Sequence, residues 1–230
     1  MNIKHKIINL DNSDYHMHSM SFSDGMNTID EIVKFAGEIG MTEIAITDHS
    51  DDCMKQLIDR FGVSKTTFRY STRKWKNIHN NVNIFFGVEA DLLNEDGDIC
   101  DLIQGQESEF INLSAHKDVC GLQIKSIDKA YKNAIEKHHK KIKCICHPCS
   151  NTNFGNEVDI EALIDLANKY NIPLEINGNY LFNKKTNIEK LHILLQKADR
   201  IYINSDAHTL FGMKEYRKNA IKFLEENGYI

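Results

Sequence analysis

The feature that most restricts this 230-residue chain is a repeating alternation. Short apolar or β-branched runs end abruptly in a polar group, and stretches with helical spacing separate one run from the next. Near-continuous runs such as Ile84-Phe85-Phe86 and Cys144-Ile145-Cys146 read as parallel strands covered on both faces. Seven strands are predicted, at 14–18, 43–47, 83–89, 109–114, 143–147, 173–177 and 200–205. Between the first two, Thr28 and Glu31 have capping-box spacing, and Ile29, Ile32, Val33, Ala36 and Ile39 recur at helical intervals up to Gly40. Further helices are predicted at 159–170, 188–198 and 213–227. The stretch 126–141 reads as a solvated helix with an exposed basic end, and 51–81 as a helix-and-loop connection. With no linker, internal repeat or low-complexity tract to divide it, the chain reads as one α/β domain over residues 1–230.

Charge and cysteine content narrow the class of function. The formal charge is −5, and no long basic run is present, which disfavours nucleic acid or a membrane surface and points to a small-molecule partner. No apolar stretch approaches the roughly 18 residues of a membrane span, so a cytoplasmic protein is expected. Six cysteines in this length fall below disulfide-scaffold density and read as reduced core thiols. Cys144-x-Cys146-His147-Pro148-Cys149 has the outline of a zinc knuckle, but no second cysteine pair at zinc-site spacing accompanies it. Serine-hydrolase elbows, P-loops and dinucleotide fingerprints are missing.

The eleven histidines are more informative. In parallel β/α architectures, side chains just beyond the carboxyl ends of different strands converge on one rim. Here the first strand ends in His16-Met17-His18, whose i, i+2 spacing directs both imidazoles to one side, and Asp24 follows in the next loop. The second ends in Asp48-His49, the third in Glu89, the fourth in His116, the fifth in His147 and the last in Asp206-Ala207-His208. Burying six imidazoles and three carboxylates together without compensation would be costly, and divalent cations would offset that cost. Nine such donors suit two or three ions, and nitrogen with oxygen donors favours Zn²⁺, Mn²⁺ or Fe²⁺ over Ca²⁺.

The series His16-Met17-His18, Ser23-Asp24-Gly25, Thr47-Asp48-His49, Gly87-Val88-Glu89, Ser114-Ala115-His116, Cys146-His147-Pro148, Glu175-Ile176-Asn177 and Ser205-Asp206-Ala207-His208 resembles the polymerase and histidinol phosphatase (PHP) superfamily over essentially the whole chain. The resemblance implies a distorted seven-stranded (β/α)7 TIM-like barrel with a trinuclear metal site, zinc being the leading choice. By matching motif, His16, His18, Glu89 and Asp206 would hold one ion. Glu89 would bridge to a second with His116 and His147, and Asp24, His49 and His208 would hold the third. Related proteins place His or Asp at the position of Asp24. The C-terminal motifs are closer to stand-alone phosphoesterases and to the PHP domain of family X polymerases than to histidinol phosphatases.

The implied reaction is hydrolysis of a phosphate ester by a metal-activated water, on a small phosphorylated substrate. Asp48 is a candidate for proton transfer, and Arg60, Arg69 and Arg73 are candidates to fork onto the substrate phosphate. Trp75 reads as a core residue. Alternatives are a histidinol-phosphate phosphatase, a nucleotide phosphodiesterase or 3′–5′ exonuclease, and a metal-stabilised module without catalysis.

Overall fold

A computed structural model describes residues 2–55, 72–121 and 123–230. Seven parallel strands form one sheet in the order β1 (Ser13–Asp14), β2 (Glu43–His49), β3 (Asn83–Leu92), β7 (Phe110–Ser114), β8 (Ile142–Ile145), β9 (Leu174–Asn177) and β10 (Ile201–Asn204). The edges then meet. Parallel bridges join Ile7 to Ile201 and Met17 to Ala207, and His18 N donates to Ala207 O at 2.9 Å while Asp206 N donates to His16 O at 2.8 Å. The result is the nearly closed β/α barrel expected from the sequence.

The seam explains why the barrel is distorted. The strand expected at 14–18 is regular only as far as Asp14. Beyond it side chains share the pairing with a few backbone bonds: Asp14 Oδ1 accepts from Ser205 N at 3.0 Å and His16 N at 3.3 Å, and Asn204 Oδ1 accepts from Tyr15 N at 3.1 Å. Asn9 completes the seam by donating to Ile203 O and accepting from Ile203 N. His16 and His18 are thereby left on extended chain that is bonded across to β10.

A small addition was not expected from the sequence. β4 (Ile99–Cys100) pairs antiparallel with the end of β3, and β5 (Leu102–Ile103) and β6 (Gln106–Glu107) form a hairpin. Its turn uses Gln104 at φ 50° and Gly105 at φ 71°, the two positive values that a tight hairpin turn requires. Both turn amides donate to the Asp51 carboxylate, which ties the hairpin to the start of the helical residues 51–55.

The helices follow the sequence closely. α1 (Ile29–Glu38) carries the Thr28–Glu31 capping box and buries Ile29, Ile32, Val33 and Ala36 against the β2–β3 side. α2 (Lys117–Cys120) is a single turn after β7. α3 (Ile127–His138) corrects an expectation: Ile127, Ala130, Tyr131, Ala134 and Ile135 are buried, so it is an amphipathic layer of the barrel whose other face alone is solvated. The i, i+3, i+4 spacing of those residues is the cause. α4 (Ile160–Lys169), α5 (Gly178–Phe182), α6 (Ile188–Lys197) and α7 (Leu210–Glu226) complete the ring. Capping by Asp159, Asn177, Asn187 and Thr209 starts each of the four.

Strand alternation sorts the interior into layers. Phe85 and Gly87 share a side of β3 with Glu89, as Phe110 shares a side of β7 with Asn112 and Tyr202 a side of β10 with Asn204. The lower layer is aromatic: Tyr15 stacks on Phe110 at 5.5 Å and meets Tyr202 at 5.1 Å. Gly87 keeps the next layer open, since a Cβ there would lie 2.5 Å from Phe110 O and 2.7 Å from Thr47 Cγ2. Above it the interior turns polar. All six cysteines are free and buried. Among the described residues no helix is long and apolar enough to cross a membrane.

Candidate metal centre

Strands end in ligand-type side chains because the polar residue after each apolar run is the first that reaches the upper rim. Two of them need more than a strand end. His147 has φ 35° and Asp206 φ 53°, so each sits in the left-handed region immediately beyond its strand. That conformation costs a non-glycine residue about 1–3 kcal/mol and persists where surrounding contacts impose it. His147 N is held by Glu175 Oε2 at 2.8 Å, and Asp206 Oδ2 accepts from Asn177 Nδ2 at 3.1 Å. The strand expected at 143–147 therefore stops at Ile145.

The eight residues singled out by strand-end position meet at one rim, together with Asp24 from the loop after the first strand. Glu89 is the hub: Oε2 lies 3.5 Å from both His16 Nε2 and His18 Nε2 and 3.0 Å from His49 Nδ1, and Oε1 lies 2.7 Å from His147 Nε2 and 3.5 Å from His116 Nε2. Donor atoms within 4.8 Å of one another form the sets His16–His18–Asp206, Glu89–His116–His147 and His18–Asp24–His49–His208. These are spacings that one divalent ion per set would span. The first two sets are buried, apart from a partial exposure of His116. Asp24 has 37% of its side chain exposed, which leaves the third set open to solvent.

The electrostatics fit cations. Burial opposes charge on His16, yet Glu175, Glu89 and Asp206 raise its pKa well above the ordinary histidine value. His116 and His208 are also raised against burial by neighbouring carboxylates, and His49 by the Cys53 sulfur first and Glu89 second. Glu89 and Asp206 are buried and Asp24 is partly exposed, yet all three are held low by the surrounding imidazoles. His18 is pushed down to about 3 by burial and by His208 and His49, whose rings lie 4.2 and 4.4 Å away. In this arrangement protons supply the positive charge that the carboxylates demand, and divalent ions would take their place. His49 Nδ1, 3.0 Å from Glu89 Oε2, shows the same exchange: a proton there answers the carboxylate charge that an ion would otherwise answer.

A second layer fixes the rings, and here the sequence reading missed residues. Glu175 Oε1 accepts from His16 Nδ1 at 2.8 Å, leaving Nε2 to face the cluster. Asp91 Oδ1 does the same for His116 Nδ1 at 2.6 Å and is itself held by Ser50 Oγ through Oδ2. Ser23 Oγ lies 3.2 Å from His18 Nδ1. Tyr180 stacks on His147 at 5.2 Å. Two of these carried a signal: Asp91 follows Glu89 at i+2 on one strand, and Glu175 precedes Asn177 at i+2 inside an apolar run, so each pair faces the interior.

The remaining candidates fare differently. Both oxygens of Asp48 accept from Ser19, from its amide at 2.6 Å and its hydroxyl at 2.7 Å, so the carboxylate is committed to holding the loop that carries Asp24. That commitment argues against the expected proton-transfer role. Arg73 is exposed, whereas Arg60 and Arg69 lie outside the described residues. Trp75, expected in the core, is half-buried at its margin, packed edge-on against Phe86 at 5.8 Å. No metal-sized group among the described residues unites Cys144, Cys146 and Cys149; Cys149 belongs to the apolar core, and His147 faces Glu89.

The PHP domain model matches residues 14–205. The probable phosphatase YcdX of Shigella flexneri is 27% identical over 222 residues, covering 92% of this chain and 84% of YcdX, and the Escherichia coli YcdX matches to the same extent. Among solved structures, HisK from Listeria monocytogenes aligns with TM-score 0.58 at 16% identity, over 87% of this chain and 96% of that one. Histidinol phosphate phosphatase from Lactococcus lactis, solved with zinc, L-histidinol and phosphate, aligns with TM-score 0.52 at 15% identity, over 95% and 94%. One chain from the structures of the metal-dependent tyrosine phosphatases YwqE of Bacillus subtilis and CpsB of Streptococcus pneumoniae aligns with TM-score 0.52 at 15% identity, over 93% of this chain and 86% of that one.

Proposed function

The chain belongs to the PHP domain family, and from that premise we propose that it is a metal-dependent phosphoric ester hydrolase acting on a small phosphorylated substrate. The observation that carries the reading is the Glu89 hub, one buried carboxylate within 3.5 Å of five imidazoles drawn from four strands. Two or three divalent ions, zinc first, would be held by His16, His18, Glu89 and Asp206, by Glu89, His116 and His147, and by Asp24, His49 and His208. When bound, such ions acidify water toward neutral pH and neutralise charge on a phosphoryl group. The protein side chains do the rest. Glu175, Asp91 and Ser23 fix which imidazole nitrogen faces the substrate side. Asn177 and Asn179 hold the Asp206 carboxylate at 3.1 and 3.4 Å. Asp48 holds the loop bearing Asp24, whose exposed carboxylate lines the solvent side of the cluster. The relatives named as phosphatases support the reaction class, and Arg60, Arg69 and Arg73 remain the proposed phosphate-binding side chains.

The test is hydrolysis of p-nitrophenyl phosphate after dialysis against chelator and readdition of Zn²⁺ or Mn²⁺. Activity is expected to vanish and return with metal, and Asp206→Ala or His116→Ala is expected to lower bound metal and turnover together. Unchanged turnover without metal overturns the proposal. A panel of histidinol phosphate, sugar phosphates, nucleotides and phosphodiesters then ranks the substrate classes.

A further inference from the structure

One thiol stands beside the cluster without a role in the assignment above. Cys53 lies four residues after His49, in the helical residues 51–55 that follow β2, and it is buried. Its sulfur groups with ring nitrogens of His49 and His116, all within 4.8 Å of one another. His116 also belongs to the set with Glu89 and His147, and His49 to the set with Asp24 and His208, so the thiol sits where two sets adjoin. Asp91 occupies His116 Nδ1, which leaves Nε2 as the nitrogen facing the cluster. At the same junction His49 is buried, with Nδ1 turned toward the hub carboxylate at 3.0 Å from Glu89 Oε2.

We propose that Cys53 supplies a thiolate donor to the metal cluster, completing with His49 and His116 a mixed nitrogen and sulfur site for Zn²⁺, Fe²⁺ or Co²⁺. The inference rests on the reading of the cluster as a divalent-metal centre. Binding breaks the S–H bond and forms a sulfur–metal bond; the proton leaves to solvent, and no electron is transferred. Soft sulfur favours these ions over Mg²⁺ and Ca²⁺, which take oxygen donors. Cys146, which groups with His16 and Glu175, is the internal comparison, because it too is a buried thiol next to an expected ligand.

The experiment loads the full chain with Co²⁺ alone and reads its absorption spectrum beside the cobalt content by plasma emission. The expected result is a near-ultraviolet sulfur-to-cobalt charge-transfer band in the parent protein, lost completely in Cys53→Ser and Cys53→Ala and retained in Cys146→Ala. Far-ultraviolet circular dichroism and cobalt content establish that each variant is folded and loaded; Ser and Ala together guard against failure of either one. A parent protein that binds cobalt and hydrolyses p-nitrophenyl phosphate but shows no such band overturns the Cys53 assignment while the hydrolase reading stands. A band that survives in folded, loaded Cys53→Ala, or disappears in Cys146→Ala instead, overturns it as well. A chain that binds no cobalt and hydrolyses nothing overturns both.

Discussion

Replacing Glu175 by glutamine tests whether the layer behind the metal-facing imidazoles governs the site. Glu175 is 1% exposed and accepts four hydrogen bonds: Oε1 from His16 Nδ1 at 2.8 Å and Asn204 Nδ2 at 3.0 Å, and Oε2 from His147 N at 2.8 Å and Asn177 Nδ2 at 3.0 Å. His147 N is a backbone donor and cannot change role, so the glutamine oxygen must stay on that side. The amide NH₂ then faces His16 Nδ1, which becomes an acceptor, and the imidazole proton moves to Nε2. That nitrogen lies 3.5 Å from Glu89 and 3.7 Å from Asp206, on the metal side. A proton there blocks the lone pair a metal needs. Loss of such a partner costs about 10–100-fold in metal affinity or activity, about 1.4–2.7 kcal/mol, and the forfeited charge-assisted bond adds a fold destabilisation of about 1.5–3 kcal/mol. Zinc content after equilibration at a fixed free-zinc concentration, turnover of p-nitrophenyl phosphate and the thermal midpoint are the readouts, with exposed Glu157→Gln as control. A Glu175→Gln protein with parental zinc content and turnover within twofold would refute the tautomer argument.

Two other outcomes are expected. Asp48→Asn removes the charge that holds Ser19 but leaves the proposed ligands in place, so it should lower the thermal midpoint and loosen the third ion while the shape of the pH–rate profile stays parental; loss of one limb of that profile would restore Asp48 as a proton-transfer residue. In metal-free protein, His16, His49, His116 and His208 have folded pKa values raised above the unfolded value of about 6.5, so their stabilisation is full below that pH and is lost as pH rises through the raised values, while His18, held at about 3, opposes them below about 6.5. Glu89, Asp206 and Asp24 stabilise above their unfolded pKa of about 4 and lose that contribution as pH falls further. The metal-free thermal midpoint should therefore fall as pH rises above about 6.5, with zinc removing the decline; a midpoint that is flat or rises there without metal contradicts the charge accounting.

The amino-acid sequence determined the order of the seven barrel strands and the five longer helices, because apolar periodicity is a local property that survives without coordinates. It also marked eight of the nine rim residues, since a polar side chain at the end of an apolar run has only the barrel mouth to occupy, and the family motif marked Asp24 in the loop. Local pattern could not show the left-handed turns at His147 and Asp206, because those are imposed by Glu175 and Asn177 from a neighbouring strand. The seam was equally hidden: Asn9, Asp14 and Asn204 close the barrel through side chains, and their partners are up to 195 residues away. Which residue orients which imidazole, and that Asp48 is bound to Ser19, are matters of distance across the barrel. Sequence fixes what each strand end offers, whereas tertiary packing alone decides which offers meet, because hydrogen bonds and ionic contacts extend only a few ångströms in space and take no account of separation along the chain.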